Sequence, residues 1–327
     1  MTCRNILFIS KGSESPSTRY RALNYFDLLR DAGWNPEHIA APRGTFDRVC
    51  LLNAVREADV VVTVRKTWTT GFRQLLRRAA KRLIFDFDDA VFVDDDGSDS
   101  ATRLRRFAAT VGMCDQVWAG NSYLAEAASQ HNGNVTLLPT SINPDPYAVD
   151  VEKPVDVIDL VWIGGSATRK YLEAIVPALE KASGSVIVRL KIVADFDLPS
   201  TSLKTVPIQW SPSTETTELA SSHIGIAPMA DDAWTRGKCG LKVLQYLSAG
   251  LPVVASNVGV HREMLSDGES GFLVESVDDW IESLSRLSGD NELRQAMGRR
   301  GPGIVRRGYS ISAVAEQMTA SLERMIS

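Results

Sequence analysis

The sequence is poor in the residues that build metal and disulfide frameworks. Among 327 residues there are four cysteines and four histidines. Cys3, Cys50, Cys114 and Cys239 are scattered with no C-x-x-C pair, and His38, His131, His223 and His261 are equally dispersed. This spacing excludes a zinc motif and a disulfide framework, and makes a reducing cytosol the expected compartment. Long apolar runs are also missing. The opening "MTCRNILFIS" is too short in apolar residues for a signal segment, and nothing approaches the ~20 residues of a membrane-spanning helix. Charge of one sign is not in excess either. A net charge of −4 gives no global case for a nucleic-acid partner.

What remains is an ordinary globular composition, 44% hydrophobic and 23% charged, in a chain long enough for two cores. Short apolar runs alternate with amphipathic stretches. Strands are expected at 6–9, 60–64, 83–87, 116–119 and 135–138, with helices at 19–32, 70–82, 101–113 and 123–131. The Pro- and Asp-rich stretch "INPDPYAVDVEKPVD" (142–156) reads as a linker. The alternation then restarts, with strands at 160–163, 186–193, 224–227 and within "GLPVVAS". A helix runs from Gly164-Gly165-Ser166 through Leu179, and others are expected at 241–248, 278–287, 291–300 and 311–326. This pattern predicts two doubly wound α/β domains with ligands bound in a cleft between them.

The densest signal is "WTRGKCGLKVLQYLSAGLPVVASNVGVHREMLSDGESGFLV" (234–274). A Gly-rich turn (Gly237, Gly240) leads into a helix, whose free N-terminal amides at Cys239, Gly240 and Leu241 form an anion site. Lys238, Lys242 and Gln245 are spaced 4 and 3, as on one helix face. The chemistry suggested is a diphosphate held by amides and lysines, with the Gln245 amide reaching hydroxyls. A solvated surface helix after a glycine turn fits the same spacing.

This segment resembles the donor-binding half of family 4 glycosyltransferases, retaining enzymes of the GT-B fold. "AGLPVVASNVG", Glu263 and "SDGESGFLV" carry the match. "PSTRYRALNYFDLLRDAGW", "LVWIGGSATRKYLEAIVPAL" and "HIGIAPMADD" extend it along nearly the whole chain. The resemblance implies two Rossmann-like domains facing a central cleft. Residues 1–150 would form the acceptor-side domain and 155–310 the nucleotide-sugar domain, with helix 311–327 packing back on the first. The family's Glu-x7-Glu pair falls on Gly237 and Gln245 here, and Lys238 or Arg236 is expected to compensate. Donor contacts are expected from Gly12, Arg21, Gly164, Arg169, Arg236, Lys238, Cys239, Gly240, Leu241, Lys242, Gln245 and Glu263. Arg19 and Asp89 are expected on the acceptor side.

Three readings compete for "LIFDFDDAVF". An apolar strand followed by D-x-D resembles the phosphatases of the haloacid dehalogenase type, with Asp86 as nucleophile and Asp88 on Mg²⁺. A GT-A-type metal site is the second. The third follows from the GT-B resemblance, which lays the family's cleft histidine on Asp88 and its neighbouring Asp on Asp89. Asp88 would then orient a sugar hydroxyl or the acceptor nucleophile, while Lys238, with Lys242 and the amides of 239–241, would neutralise charge as the diphosphate leaves. The late position of the motif disfavours the first reading, and the lysine-bearing anion site disfavours the second.

The function expected is transfer of a sugar, with retention, from a nucleotide-diphosphate sugar to a hydroxyl on a glycan, lipid-linked or envelope acceptor. No metal or other cofactor is expected. The missing glutamates keep open a nucleotide-sugar-binding protein without turnover, such as a partner subunit. The basic segment 65–82, with Phe72, Leu75 and Leu76, suggests peripheral contact with the inner face of an anionic membrane.

Overall fold

A computed structural model describes residues 4–182, 188–198, 202–265 and 267–326. The chain divides into two compact units. The first comprises Met1–Ser141, Asp232–Cys239 and Ile311–Ser327, and the second Ile142–Asp231 and Gly240–Ser310. Each is built on one parallel six-stranded sheet.

The strands of unit 1 are β1 (Arg4–Ser10), β2 (Trp34–Ala40), β3 (Val60–Val64), β4 (Leu83–Phe87), β5 (Gln116–Ala119) and β6 (Val135–Leu137), in the order β2-β1-β3-β4-β5-β6. Residues of β3, β4 and β5 are buried throughout. This is why they read as mainly apolar runs, as strands covered on both faces do, with Thr63, Asp86 and Gln116 the buried polar exceptions. One face packs Phe8, Trp34, Ile84 and Trp118 against Val314, Met318 and Leu322 of helix Ile311–Ile326. The Trp118 indole donates to Ser321 Oγ at 3.0 Å. On the sheet's aromatic side, Phe87 and Phe92 close on Phe107 at 5.3 and 4.9 Å between ring centroids.

Unit 2 contains β7 (Ile158–Ile163), β8 (Val188–Ala194), β9 (Lys204–Gln209), β10 (Ile224–Ala227), β11 (Val253–Ser256) and β12 (Gly271–Val274), in the order β12-β11-β10-β7-β8-β9. Counted within the unit this is 3-2-1-4-5-6, the dinucleotide-fold order, with the topological switch between β7 and β10. Two apolar layers sandwich the sheet. Trp162, Leu172 and Trp280 lie in one, and Val161, Leu244 and Val253 in the other.

The stretch 19–32, expected as one helix, is broken. Helix Pro16–Arg21 is followed by a 3₁₀ turn at Leu23–Tyr25 and helix Phe26–Asp31. The break coincides with two buried polar anchors, Arg21 and Tyr25, the latter bonded through its hydroxyl to Ser141 Oγ at 2.7 Å. The first two residues of the strand expected at 186–193 lie outside the described residues, and the rest belongs to β8. No described helix is long and apolar enough to cross a membrane.

Candidate functional site

In unit 2 the turn after β7 lies at the sheet's switch point, the position where open α/β sheets bind ligands. The Ile163 N–H donates to the Tyr246 hydroxyl at 2.9 Å, and that hydroxyl donates to the carbonyl of Ile226 at 3.2 Å. Helix Leu241–Ser248 is thereby pinned to the carboxyl ends of β7 and β10. From its first turn Lys242 reaches back over the Trp162 ring, with Nζ 4.1 Å from the centroid. The same Nζ donates to Thr168 Oγ1 at 3.0 Å. Gly164 makes this possible: a Cβ there would lie 2.6 Å from Lys242 Nζ and 2.5 Å from the Trp162 ring. Trp162, Gly164, Thr168 and Lys242 thus form one cationic station at the mouth of the first βα turn.

Behind it, His261 is buried and donates through Nδ1 to the carbonyl of Ser256 at 3.0 Å. Burial, with Lys242 adding to it, lowers its pKa to about 4, so the ring is neutral at pH 7.

The face predicted for Lys238, Lys242 and Gln245 does not form. Gly240 takes the left-handed conformation (φ 64°), and the helix starts only at Leu241. Lys238 belongs to the preceding turn, its N–H bonded to the carbonyl of Thr235 at 2.9 Å. Gln245 is buried and donates to Glu215 Oε1 at 2.7 Å. Glu215, which sequence reasoning missed, also accepts from the Tyr147 hydroxyl and, at 2.7 Å, from the Trp210 indole. Its pattern was hidden because two of the three donors, Tyr147 and Gln245, come from distant segments. Arg169 pairs with Glu173 at 2.7 Å and stacks over Phe196, and Glu263 is exposed on the short helix His261–Met264.

In unit 1 the aspartates after β4 separate by role. Asp86 is fully buried and held by Arg21. The guanidinium Nε donates to Oδ2 at 3.0 Å, Nη2 donates to Oδ1, and Nη1 donates to the carbonyl of Leu138 at 2.8 Å. Burial alone would lower the pKa of Arg21, but Asp86 outweighs it and raises it. Arg21 is therefore a core residue and not a phosphate clamp. Asp86, engaged on both oxygens, is not available as a phosphatase nucleophile.

Asp89 takes Arg65 and Lys238, the latter at 3.0 and 3.2 Å to its two oxygens. Lys238 Nζ also sits 3.5 Å from the Trp234 ring centroid. Arg65 holds the left-handed backbone region (φ 56°), rare for a non-glycine residue, and its N–H donates to the carbonyl of Asp86 at 2.7 Å. It therefore serves the aspartates rather than a basic surface. Asp88 is different. Arg65 Nε approaches its Oδ1 at 3.5 Å, too far for a hydrogen bond, and that buried oxygen has no hydrogen-bond partner.

The segment 232–239 is fitted against β4 and β5 by close glycine contacts. A Cβ at Gly237 would meet Ala90 Cβ at 2.5 Å, and one at Gly120 would meet Cys239 Sγ at 2.5 Å. Asn121 locks it, donating to the carbonyls of Arg236 and Lys238 at 3.0 and 2.9 Å while capping helix Ser122–Ser129. Sequence reasoning missed Asn121, although an Asn just before a helix is a cap signal. The Cys239 thiol is buried, and burial followed by Asp88 pushes its pKa up.

The loop after β1 opens on a cleft of about 930 Å³ lined by Lys11, Gly12, Ser13, His38, Arg43 and Cys50, among others. Gly12 (φ 146°) needs its glycine freedom there. Arg19 is exposed and stacks on Tyr20. Asp94 and Asp95 pair with Arg103 at 2.8 and 3.0 Å, so Arg103 does not serve Asp88 or Asp89. In the basic helix, Arg77 and neighbouring Lys81 pair with Asp115 and Asp59.

Residues 158–290 match the family described as "Glycosyl transferases group 1". The D-inositol 3-phosphate glycosyltransferase of Paenarthrobacter aurescens is 42% identical over 62 residues, 18% of this chain and 15% of that protein. Segments like this one span between 15% and 24% of the curated relatives' own length. Among solved structures, Anabaena HepE in complex with UDP and glucose superposes with a TM-score of 0.72 at 14% identity, covering 98% of this chain and 100% of that one. A glycosyltransferase from Rickettsia africae gives 0.78 at 11% identity, with 99% of both chains covered.

The two six-stranded units thus define a two-domain α/β protein of the GT-B fold. Within that class residues 158–290 match the group 1 glycosyltransferases, and the resemblance to family 4 agrees with that match.

Proposed function

We propose that this protein is a retaining glycosyltransferase that uses a nucleotide-diphosphate sugar and a hydroxyl acceptor. The observation that carries the reading is the Lys242 station at the switch point of unit 2. A cation seated beside a glycine turn and the amide end of a helix suits a diphosphate, and it offsets the charge that develops as the diphosphate leaves. That counter-charge needs no metal. Gly240 and Leu241 amides, Gly164 and Lys242 hold the diphosphate. Arg169, Arg236, Cys239 and Glu263 belong to the same donor reading.

On unit 1, Asp88 Oδ1 is a buried acceptor without a donor, and such a group calls for a ligand hydroxyl. It orients the acceptor, with Arg65, Asp89 and Lys238 fixing its surroundings. Gly12 lines the cleft after β1 that receives the rest of the acceptor, and exposed Arg19 lies on the helix Pro16–Arg21 that follows. In the retaining step the bond from the anomeric carbon to phosphate oxygen breaks. The acceptor oxygen bonds on the same face, and its proton passes to the leaving phosphate. No protein base is needed, which suits an Asp where the family carries a His. The acceptor class is a glycan or lipid-linked hydroxyl compound. Exposed Leu75 and Arg78 on helix Thr70–Ala79 are the part of the basic segment suited to an anionic membrane.

A second reading has its own observation. Gly237 is packed on Ala90 and Gln245 is bonded to Glu215, so neither offers a carboxylate to a donor sugar. This favours a binder without turnover. The deciding experiment supplies UDP-, GDP- and ADP-sugars with a panel of glycan and lipid-linked acceptors in EDTA and follows nucleoside diphosphate release. The transferase reading expects acceptor-dependent release that falls about a hundredfold or more in Asp88→Asn. Binding of a donor with no release under any acceptor would establish the second reading instead.

A further inference from the structure

A second charged cavity lies in unit 2, away from the Lys242 station. It has a volume of about 670 Å³ and is lined by Lys153, His223, Pro252, Arg294, Gln295 and Arg299, among others. It sits where strands enter the sheet: beside Ile158 at the start of β7, at His223 just before β10, and at Pro252 just before β11. The Lys242 station is at the exit end of β7. Six residues of strand separate the two ends by about 17 Å.

The wall is one face of helix Asn291–Gly308, on which Asn291, Arg294, Gln295, Gly298 and Arg299 recur at helical spacing. The helix comes close because residue 298 is glycine: a Cβ there would lie 2.2 Å from the carbonyl oxygen of Gly250. Opposite stands Lys153, half-buried.

The lining holds three cations and no carboxylate. Arg294 donates only to uncharged acceptors, the carbonyls of Leu287 and Ser288 at 2.6 and 2.9 Å and Asn291 Oδ1 at 3.2 Å, with Asp290 the nearby carboxylate that acts on it. Among the described residues, neither Lys153 nor Arg299 has a carboxylate or hydrogen-bond partner. Burial, then Arg294 and Lys191, lowers the pKa of Lys153. Burial, with Lys153 and Arg294 adding to it, pushes that of His223 down to about 4. Lys191 itself is answered by Glu218 at 2.9 Å and Asp159 at 3.6 Å. Concentrated positive charge in a small-molecule-sized concavity, without its counter-charge, is the electrostatic form of an anion site.

We propose that this cavity is a second ligand site, which takes a phosphoryl group through Lys153, Arg294 and Arg299. Gln295 supplies an amide alongside. The volume exceeds a bare phosphate, and Pro252 and Ile158 add apolar wall, so an organic phosphate monoester fits as well as the free ion. The site is independent of the donor reading, since it shares no residue with the Lys242 station.

The test uses the full chain at pH 7, titrated with inorganic phosphate and, separately, with glucose 6-phosphate. Binding is read by calorimetry and by the ring-proton NMR signals of His223. Wild type is expected to bind, with the His223 signals moving and its pKa rising as the anion arrives. Lys242→Gln, which alters only the other station, is expected to retain this binding. Lys153→Gln/Arg299→Gln is expected to weaken it about tenfold or more, and Arg299→Gln, at an exposed helix position, to weaken it by itself. Tighter binding of the sugar phosphate identifies an organic phosphate as the ligand, and equal binding identifies free phosphate. Unchanged affinity in the double variant, still His223 signals, or no binding to wild type would overturn the proposal.

Discussion

Arg21 and Asp86 show how residue-scale environment decides which charged groups remain for chemistry. Both look functional in sequence, an arginine in the first loop-helix and an aspartate in a D-x-D strand. Both are buried, and they bind each other. Breaking such a pair leaves an uncompensated buried charge, whereas replacing both partners does not. Arg21→Met is therefore expected to destabilise unit 1 by about 3–5 kcal/mol, and Arg21→Met/Asp86→Leu to recover most of that loss. Urea unfolding midpoints of the two variants check this. Equal loss in both would show that the ion pair is not the issue. Asp88, two residues on, is only partly buried; Arg65 lies 3.5 Å from its Oδ1, and that buried oxygen accepts no hydrogen bond. Sequence spacing separates neither case, because the partners of these groups come from strands and loops far along the chain.

Elements were legible in proportion to their burial. β3, β4 and β5 announce themselves as apolar runs, and helix Leu241–Ser248 has the bounds its periodicity predicts. The unrecognised strands β2, β9 and β12 are all edge strands; β2 and β9 carry Pro36 and Pro207, which dilute the strand signal and suit an edge, and β12 is only four residues long. The lysine pair failed for a different reason. A spacing argument assumes one continuous helix, and Gly240 in its left-handed conformation interrupts it between Lys238 and Lys242.

Glycine packing also sets where helix Asn291–Gly308 lies. Gly298→Ala drives a methyl into the Gly250 carbonyl and is expected to cost about 1–3 kcal/mol. Gly303→Ala, on the same helix and facing only the flexible end of Arg307, is expected to be neutral or to stabilise by up to about 1 kcal/mol. Thermal unfolding of the two variants separates packing from propensity, and equal effects would contradict the close approach.

For the whole molecule, the alternation of runs was enough to predict two doubly wound domains, and the strand orders complete the picture. Each sheet reverses its winding once, between β1 and β3 in unit 1 and between β7 and β10 in unit 2. Loops after those strands carry Gly12, Arg65 and Gly164. What the sequence did not disclose is that residues 232–239 cluster with unit 1, so that "WTRGKCGLK" is divided between two units at Gly240. A one-dimensional motif carries no mark of such a division.

On the proposed function, unit 2 holds a nucleotide diphosphate at Lys242 without a metal. Its most direct test is calorimetric titration of the protein with UDP, GDP, ADP and TDP in EDTA, on wild type, Lys242→Ala and Gly164→Ala. One nucleotide is expected to bind wild type. Either substitution is expected to weaken binding about tenfold or more, because one removes the cation and the other fills its seat. Binding that appears only with Mg²⁺ and depends on Asp88, or binding unchanged in both variants, would contradict it.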